Sequence, residues 1–125
     1  MEQAAILIVD DNPEIREIIQ ILLTGEGFQV HEAANGTQAL SLLKENTFDL
    51  IILDIMMPGL NGYQTCLEMR KITNAPILFL SARTQESDKT LGFSSGGDDY
   101  LAKPFSYAEL VSRTKAMIRR YQVYQ

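Results

Sequence analysis

A chain of 125 residues, 46% of them hydrophobic, is sized for one domain with a proper core and leaves little room for a second. With 11 Lys+Arg against 16 Asp+Glu the net charge is −5, which argues against direct nucleic-acid binding by this chain and favours capture of a cation. Cys66 and His31 are the only residues of their kinds, which excludes a disulfide framework, a Cys/His zinc cluster and the usual Cys/His or Ser/His nucleophile systems. No apolar run reaches the length of a membrane span, and the N-terminus lacks the basic region and long apolar run of a signal peptide, so the expectation is a cytoplasmic protein with no membrane partner.

Ala4 to Val9 is a continuous apolar run ending in Asp10 and Asp11, the pattern of a strand buried on both faces of a parallel sheet. Asn12 and Pro13 read as an N-cap and first-turn proline, with Ile15, Ile18, Ile19, Leu22 and Leu23 following on one helical face. Gly25 or Gly27 can stop that helix. Phe28 to Ala33 alternates like a short strand, and Ala39, Leu42 and Leu43 mark a second helix. Phe48 to Leu53 is another buried strand, and it too runs into an aspartate, Asp54. The turn formers of Met57-Pro58-Gly59-Leu60-Asn61-Gly62 precede a third helix with Cys66, Met69 and Ile72 or Thr73 inward. Pro76 to Leu80 is the fourth strand. A weakly amphipathic segment from Gln85 to Ser95 is the fourth helical signal, and Gly96-Gly97 leads into a short strand at Asp99 to Ala102. The last helix runs from Ser106 to Tyr121, with Leu110, Val111, Thr114, Met117, Ile118 and Tyr121 on one face. Five alternating strand and helix signals predict right-handed crossovers and a doubly wound α/β sandwich, (βα)5, whose parallel sheet takes the order 2-1-3-4-5.

In such a sheet the crevice lies beyond the carboxyl ends of the strands, at the switch point between strands 1 and 3. Asp10, Asp11 and Asp54 converge there. Three carboxylates in a small pocket repel one another unless a divalent cation neutralises them, and all-oxygen ligation favours Mg2+, with Mn2+ as the other option. Strands 4 and 5 bring Ser81 and Lys103 to the same edge. A carboxylate nucleophile, a metal, a cation and a hydroxyl together suit a transferred phosphoryl group, whose oxygens each need a positive or donating partner. Each residue alone has a plainer reading: Asp10 to Pro13 as a helix cap, Asp54 as a turn residue, Ser81 as a loop hydroxyl, Lys103 as a solvated cation. Their coincidence on one sheet edge favours the functional reading. His31 and Cys66 read as structural. Met56 and Met57 offer soft thioethers at a hard site, so neither sulfur is expected to be a metal ligand.

Val9-Asp10-Asp11-Asn12, Leu53 to Gly59, Leu80-Ser81-Ala82-Arg83 and Gly97 to Phe105 resemble, in order, the signature blocks of the bacterial two-component response-regulator receiver family. The resemblance covers the whole chain and implies the flavodoxin-like receiver fold. It implies that Asp54 accepts phosphate from a sensor histidine kinase. Asp10, Asp11, Asp54 and the Met56 carbonyl would hold Mg2+, while Lys103 and Ser81 would bind phosphoryl oxygens. Ser81 and Tyr100 would form the switch, Tyr100 moving from outward to inward. The family also has a cis peptide bond at the position of Lys103-Pro104. The protein would be a regulator rather than an enzyme, assisting its own phosphotransfer and slow dephosphorylation. Gly97 departs from the alanine common at that position, which is expected to loosen the turn, and Ser81 replaces the commoner threonine.

Arg83 and the Asp98-Asp99-Tyr100 run look like the receivers of winged-helix transcription factors, the OmpR/PhoB class. That implies a receiver over 1–125 followed by a C-terminal DNA-binding domain, and a homodimer formed on phosphorylation through the fourth helix, fifth strand and fifth helix. Lys89 with Glu109, and Asp99 with Arg113, match the intersubunit charge positions. The alternative is a stand-alone chemotaxis-type receiver that docks a protein target. A flavin-binding protein is disfavoured because the loop after strand 1 lacks a Ser/Thr/Gly-rich cradle. An aspartate-nucleophile phosphatase is disfavoured because Met56 stands where its acid/base aspartate would be.

Overall fold

The structure is a computed structural model and describes residues 3–81 and 96–124. Five strands, β1 (Ala5–Val9), β2 (Gln29–Ala33), β3 (Leu50–Asp54), β4 (Ile77–Ser81) and β5 (Asp99–Ala102), form one parallel sheet. Its order is β2-β1-β3-β4-β5, as the pattern predicts. Four described helices accompany it: α1 (Pro13–Gly25), α2 (Gly36–Glu45), α3 (Gly62–Met69) and the C-terminal α4 (Tyr107–Tyr124). The segment expected at 85–95 lies outside the described residues, and Arg83 and Lys89 lie there with it.

The unbroken apolar runs of β1, β3 and β4 have a direct explanation in the two faces of the sheet. Leu7, Val9, Ile51, Leu53, Ile77 and Phe79 pack with Ala39, Leu43, Cys66 and Met69 of α2 and α3. Their strand neighbours Ile6, Ile8, Leu50, Ile52, Leu78 and Leu80 face the other way, onto Ile19 and Leu23 of α1 and Leu110, Met117 and Ile118 of α4. Side chains alternate across a strand, so a strand with a layer on both faces must be apolar throughout. Each such burial contributes about 1.5–3 kcal/mol. His31, on the edge strand β2, meets Phe48 edge-on with ring centroids 5.3 Å apart.

Asn12 caps α1 by accepting from the amides of Glu14 and Ile15, and Pro13 opens the helix. Asn61 and Gln64 cap α3 reciprocally, which fixes where the helix leaves the turn. That helix ends at Met69, earlier than its periodicity predicts, and of the two residues offered for the inner face beyond it Thr73 is half-buried while Ile72 is 41% exposed. Ile18, expected on the inner face of α1, is likewise 41% exposed. The Arg70 guanidinium holds the chain that follows the stop. Its Nη1 donates to the carbonyls of Ala75 (2.7 Å) and Thr73 (3.3 Å) and its Nε to that of Gly96 (2.9 Å). Its Nη2 binds the Asp98 carboxylate at 2.7 Å, which also accepts from the Ile77 amide. One side chain thus clamps the amino ends of β4 and β5.

The turn before β5 is tight, contrary to the expectation drawn from Gly97. A Cβ on Gly97 would stand 2.1 Å from Cε2 of Phe79, a ring with no solvent exposure. Gly97 is there because the backbone lies directly on that ring. The Lys103-Pro104 peptide bond is cis. Among the described residues, no helix is long and apolar enough to cross a membrane.

Candidate functional site

The register places the chemistry at one edge. Val9, the last residue of β1, pairs with Ala33 and Leu53, so Asp10 and Asp54 leave adjacent strands at the same height. Asp54 pairs with Leu80 and Ser81 with Ala102, which carries the edge across to Lys103. The Lys103 amide donates to the Ser81 carbonyl at 2.6 Å, and the Ile55 amide to Leu80 at 3.0 Å, so pairing continues just past the strand ends. Gly62 lets α3 start against this edge: a Cβ there would stand 2.6 Å from the Asp54 carbonyl oxygen and the Ile55 Cα.

Carboxylate oxygens of Asp10, Asp11 and Asp54 lie within 4.8 Å of one another, with Asp10 and Asp54 buried and Asp11 exposed. Lys103 Nζ reaches between two of them, 3.2 Å from Asp10 Oδ2 and 3.3 Å from Asp54 Oδ1. Asp10 Oδ1 accepts from the Asn12 amide at 2.9 Å. Burial, and then the like charge of Asp10, push the Asp54 carboxyl up to about 6; Lys103 and the Met56 backbone amide pull it the other way. One lysine therefore does not offset burial and the neighbouring acid. An anionic, all-oxygen donor set of this size fits a hard divalent cation such as Mg2+.

Ser81 is fully buried at the end of β4. Tyr100 is buried on the face of the sheet that carries α2 and α3, so it occupies the inward position here. The Met56 side chain is 52% exposed beside the site. Asp99 and Arg113 are brought together within the chain: Arg113 Nη1 lies 2.9 and 2.8 Å from the two Asp99 oxygens, and Nη2 lies 3.6 Å from Glu109. Asp99 foremost holds the Arg113 guanidinium above its ordinary pKa. Burial pushes the Cys66 thiol up to about 11, an unreactive state.

Two features of this edge are not anticipated by sequence reasoning. One is Arg16, whose guanidinium donates to the Asp10 backbone carbonyl at 2.5 Å and pairs with Glu32 of β2 at 3.3 Å. Its sequence signal is slight: a cation close to a helix N-terminus, where the helix dipole disfavours it. The other is a groove of about 420 Å3 beside Lys103, lined by Ile15, Ile18, Ile19, Pro104, Phe105 and Tyr107.

A doubly wound parallel sheet with an acid cluster and a lysine at its switch point defines a phosphoacceptor class of α/β protein. Residues 6–115 match the family model described as the response regulator receiver domain, and this chain belongs to that family. It is 49% identical over 120 residues to the transcriptional regulatory protein YrkP of Bacillus subtilis (strain 168), covering 96% of this chain and 52% of that one. It is 44% identical over 117 residues to the transcriptional regulatory protein SrrA of Staphylococcus aureus (strain NCTC 8325 / PS 47), covering 94% and 48%. The chain thus spans about half the length of these relatives. A crystal structure of a two-component response regulator from Clostridium difficile superposes with a TM-score of 0.91 at 30% identity, covering 94% and 98%. Receiver domains of this family bind Mg2+, and response regulators partner with sensor histidine kinases.

Proposed function

We propose that Asp54 takes a phosphoryl group from the phosphohistidine of a cytoplasmic sensor histidine kinase, and that the change is passed to an output domain that controls transcription. The supporting observation is the acid cluster itself: three carboxylates within 4.8 Å, two of them bridged by Lys103, at the switch point of the sheet. An Asp54 oxygen attacks phosphorus, the bond from phosphorus to the histidine nitrogen breaks, and the imidazole leaves with the electron pair. Asp10, Asp11, Asp54 and the Met56 carbonyl would hold Mg2+, or Mn2+ in its place, which supplies charge neutralisation at the phosphoryl oxygens. Lys103 turns from its carboxylate partners to one phosphoryl oxygen, and the Ser81 hydroxyl donates to another. The same groups assist slow hydrolysis of the acyl phosphate. The apolar groove beside Lys103 suits the kinase, which must bring its phosphohistidine within bonding distance of Asp54.

The output side of the proposal uses the face formed by β5 and α4. Seating of Tyr100 against the core couples the phosphoryl site to this face, where phosphorylation favours a two-fold homodimer through Asp99, Arg113 and Glu109; Lys89, which lies outside the described residues, is the partner that the resemblance implies for Glu109. A C-terminal DNA-binding domain following the receiver is the output that the names of the relatives support. Intact-mass measurement after incubation with acetyl phosphate and Mg2+ tests the central step. One phosphoryl group on the wild-type chain and none on Asp54→Asn is expected. An equally modified Asp54→Asn chain would remove Asp54 from the role.

A further inference from the structure

We propose that Arg16 is a positioning residue that sets the turn carrying Asp10 and Asp11 for a divalent cation, an inference that rests on the metal-binding reading of that site. Four groups of Asp10 are held by four different parts of the fold. Its amide donates to the Ala33 carbonyl of β2 at 3.2 Å. Its Oδ1 accepts from Asn12 and its Oδ2 from Lys103. Its carbonyl accepts from Arg16 at 2.5 Å. That last contact differs from the others, because the Asp10 carbonyl belongs to the peptide unit joining Asp10 to Asp11. Fixing its plane fixes the direction in which Asp11 leaves the strand. Asp11 is exposed, so packing does not aim it, and the peptide plane must.

Arg16 is itself anchored. Its Nε lies 3.3 Å from Glu32 on β2, and its side chain is 18% exposed. One guanidinium therefore ties α1, the β1 end and β2 together, a geometry that needs donors on both sides of a planar fork and that a lysine cannot reproduce. A cation at this end of α1 runs against the helix dipole, and the two contacts are what offset that cost. Groups that orient metal ligands without touching the ion are worth about 10–100-fold in affinity when removed.

The sign of the effect separates positioning from simple charge. Removing a cation near an anionic pocket tightens binding of a divalent ion if only through-space attraction is at work. Removing a group that aims a ligand weakens it. Isothermal titration of the wild-type chain, Arg16→Ala and Arg16→Lys with Mg2+ alone is therefore decisive. Weakening by about tenfold or more is expected in Arg16→Ala and an intermediate loss in Arg16→Lys, with both metal-free chains still folded at the titration temperature. In the metal-free chains, amide exchange at Asn12 should speed up in Arg16→Ala, because its acceptor on Asp10 is no longer held. Unchanged or tighter Mg2+ binding by Arg16→Ala would overturn the inference. Should Arg16→Ala fail to fold, wild-type affinity in Arg16→Lys, which keeps the charge, would overturn it equally. A wild-type chain that takes up no Mg2+ would instead remove the metal site on which the inference stands.

Discussion

Asp54 titrates near 6 because burial strips water from its carboxylate and Asp10 adds a like charge beside it. Its ordinary value is 3.8. Between these limits the folded chain holds a proton that the unfolded chain has lost, so the contribution of Asp54 to stability is most favourable below pH 4 and is lost as pH rises through about 6. At pH 7, in chelator, Asp54→Asn is expected to be more stable than wild type by about 2–3 kcal/mol, and the gap should close as pH falls toward 4. Urea unfolding at a series of pH values measures this; a gap that does not vary with pH would contradict the charge origin. Gly97 yields a second expectation at this scale. Adding a methyl 2.1 Å from a buried phenyl carbon of Phe79 overpacks the core, so Gly97→Ala should destabilise by about 1–3 kcal/mol. Phe79→Leu in the same chain should return part of that loss, whereas strictly additive losses in a double-mutant cycle would show that the two positions do not meet.

At the scale of elements, the strands and their order were legible because burial on both faces writes an unbroken apolar run, and the runs of β1 and β3 each stop at a carboxylate. The three acids, Ser81 and Lys103 were legible for the same reason, since each directly follows or ends a strand. Ile18 misled, and the choice between Ile72 and Thr73 fell to Thr73: apolar residues are common on protein surfaces, and periodicity alone does not say which turn of a helix has a neighbour. The bonds of Arg70 just past the end of α3 left no periodic trace, because one of them goes to the Gly96 carbonyl 26 residues away. Arg16 was missed for a like reason, its key partner being a backbone carbonyl. The Arg70 clamp makes its own prediction. Arg70→Lys leaves carbonyls of Thr73, Ala75 and Gly96 short of a donor and should cost about 2–3 kcal/mol. Hydrogen exchange in that variant should rise first at Ile77 and Asp98, whose amides open the pairing of β4 and β5; uniform loss of protection would argue against a local clamp.

For the whole molecule, the pairing of Arg113 with Asp99 and Glu109 of its own chain sets what dimerisation can gain. Those charges are already partnered, so association exchanges ion pairs rather than adding them, and exposed pairs are worth about 0–1 kcal/mol each. In the proposed dimer their role would be selection of partner and register. Sedimentation of the beryllofluoride-treated chain should show a dimer that weakens with added salt and disappears in Arg113→Glu. A dimer indifferent to both would place the interface elsewhere. The sheet order has a further consequence, for the growing chain. Because β1 lies beside β3 while β5 comes last in the sheet and in the chain, Asp10, Asp11 and Asp54 are all made before Lys103. Were β1 and β3 to pair before β5 joined them, the three acids would meet without the lysine that bridges two of them in the finished protein. A chain cut before β5 is therefore expected to depend on a divalent cation more than the whole domain does to hold those strand ends together.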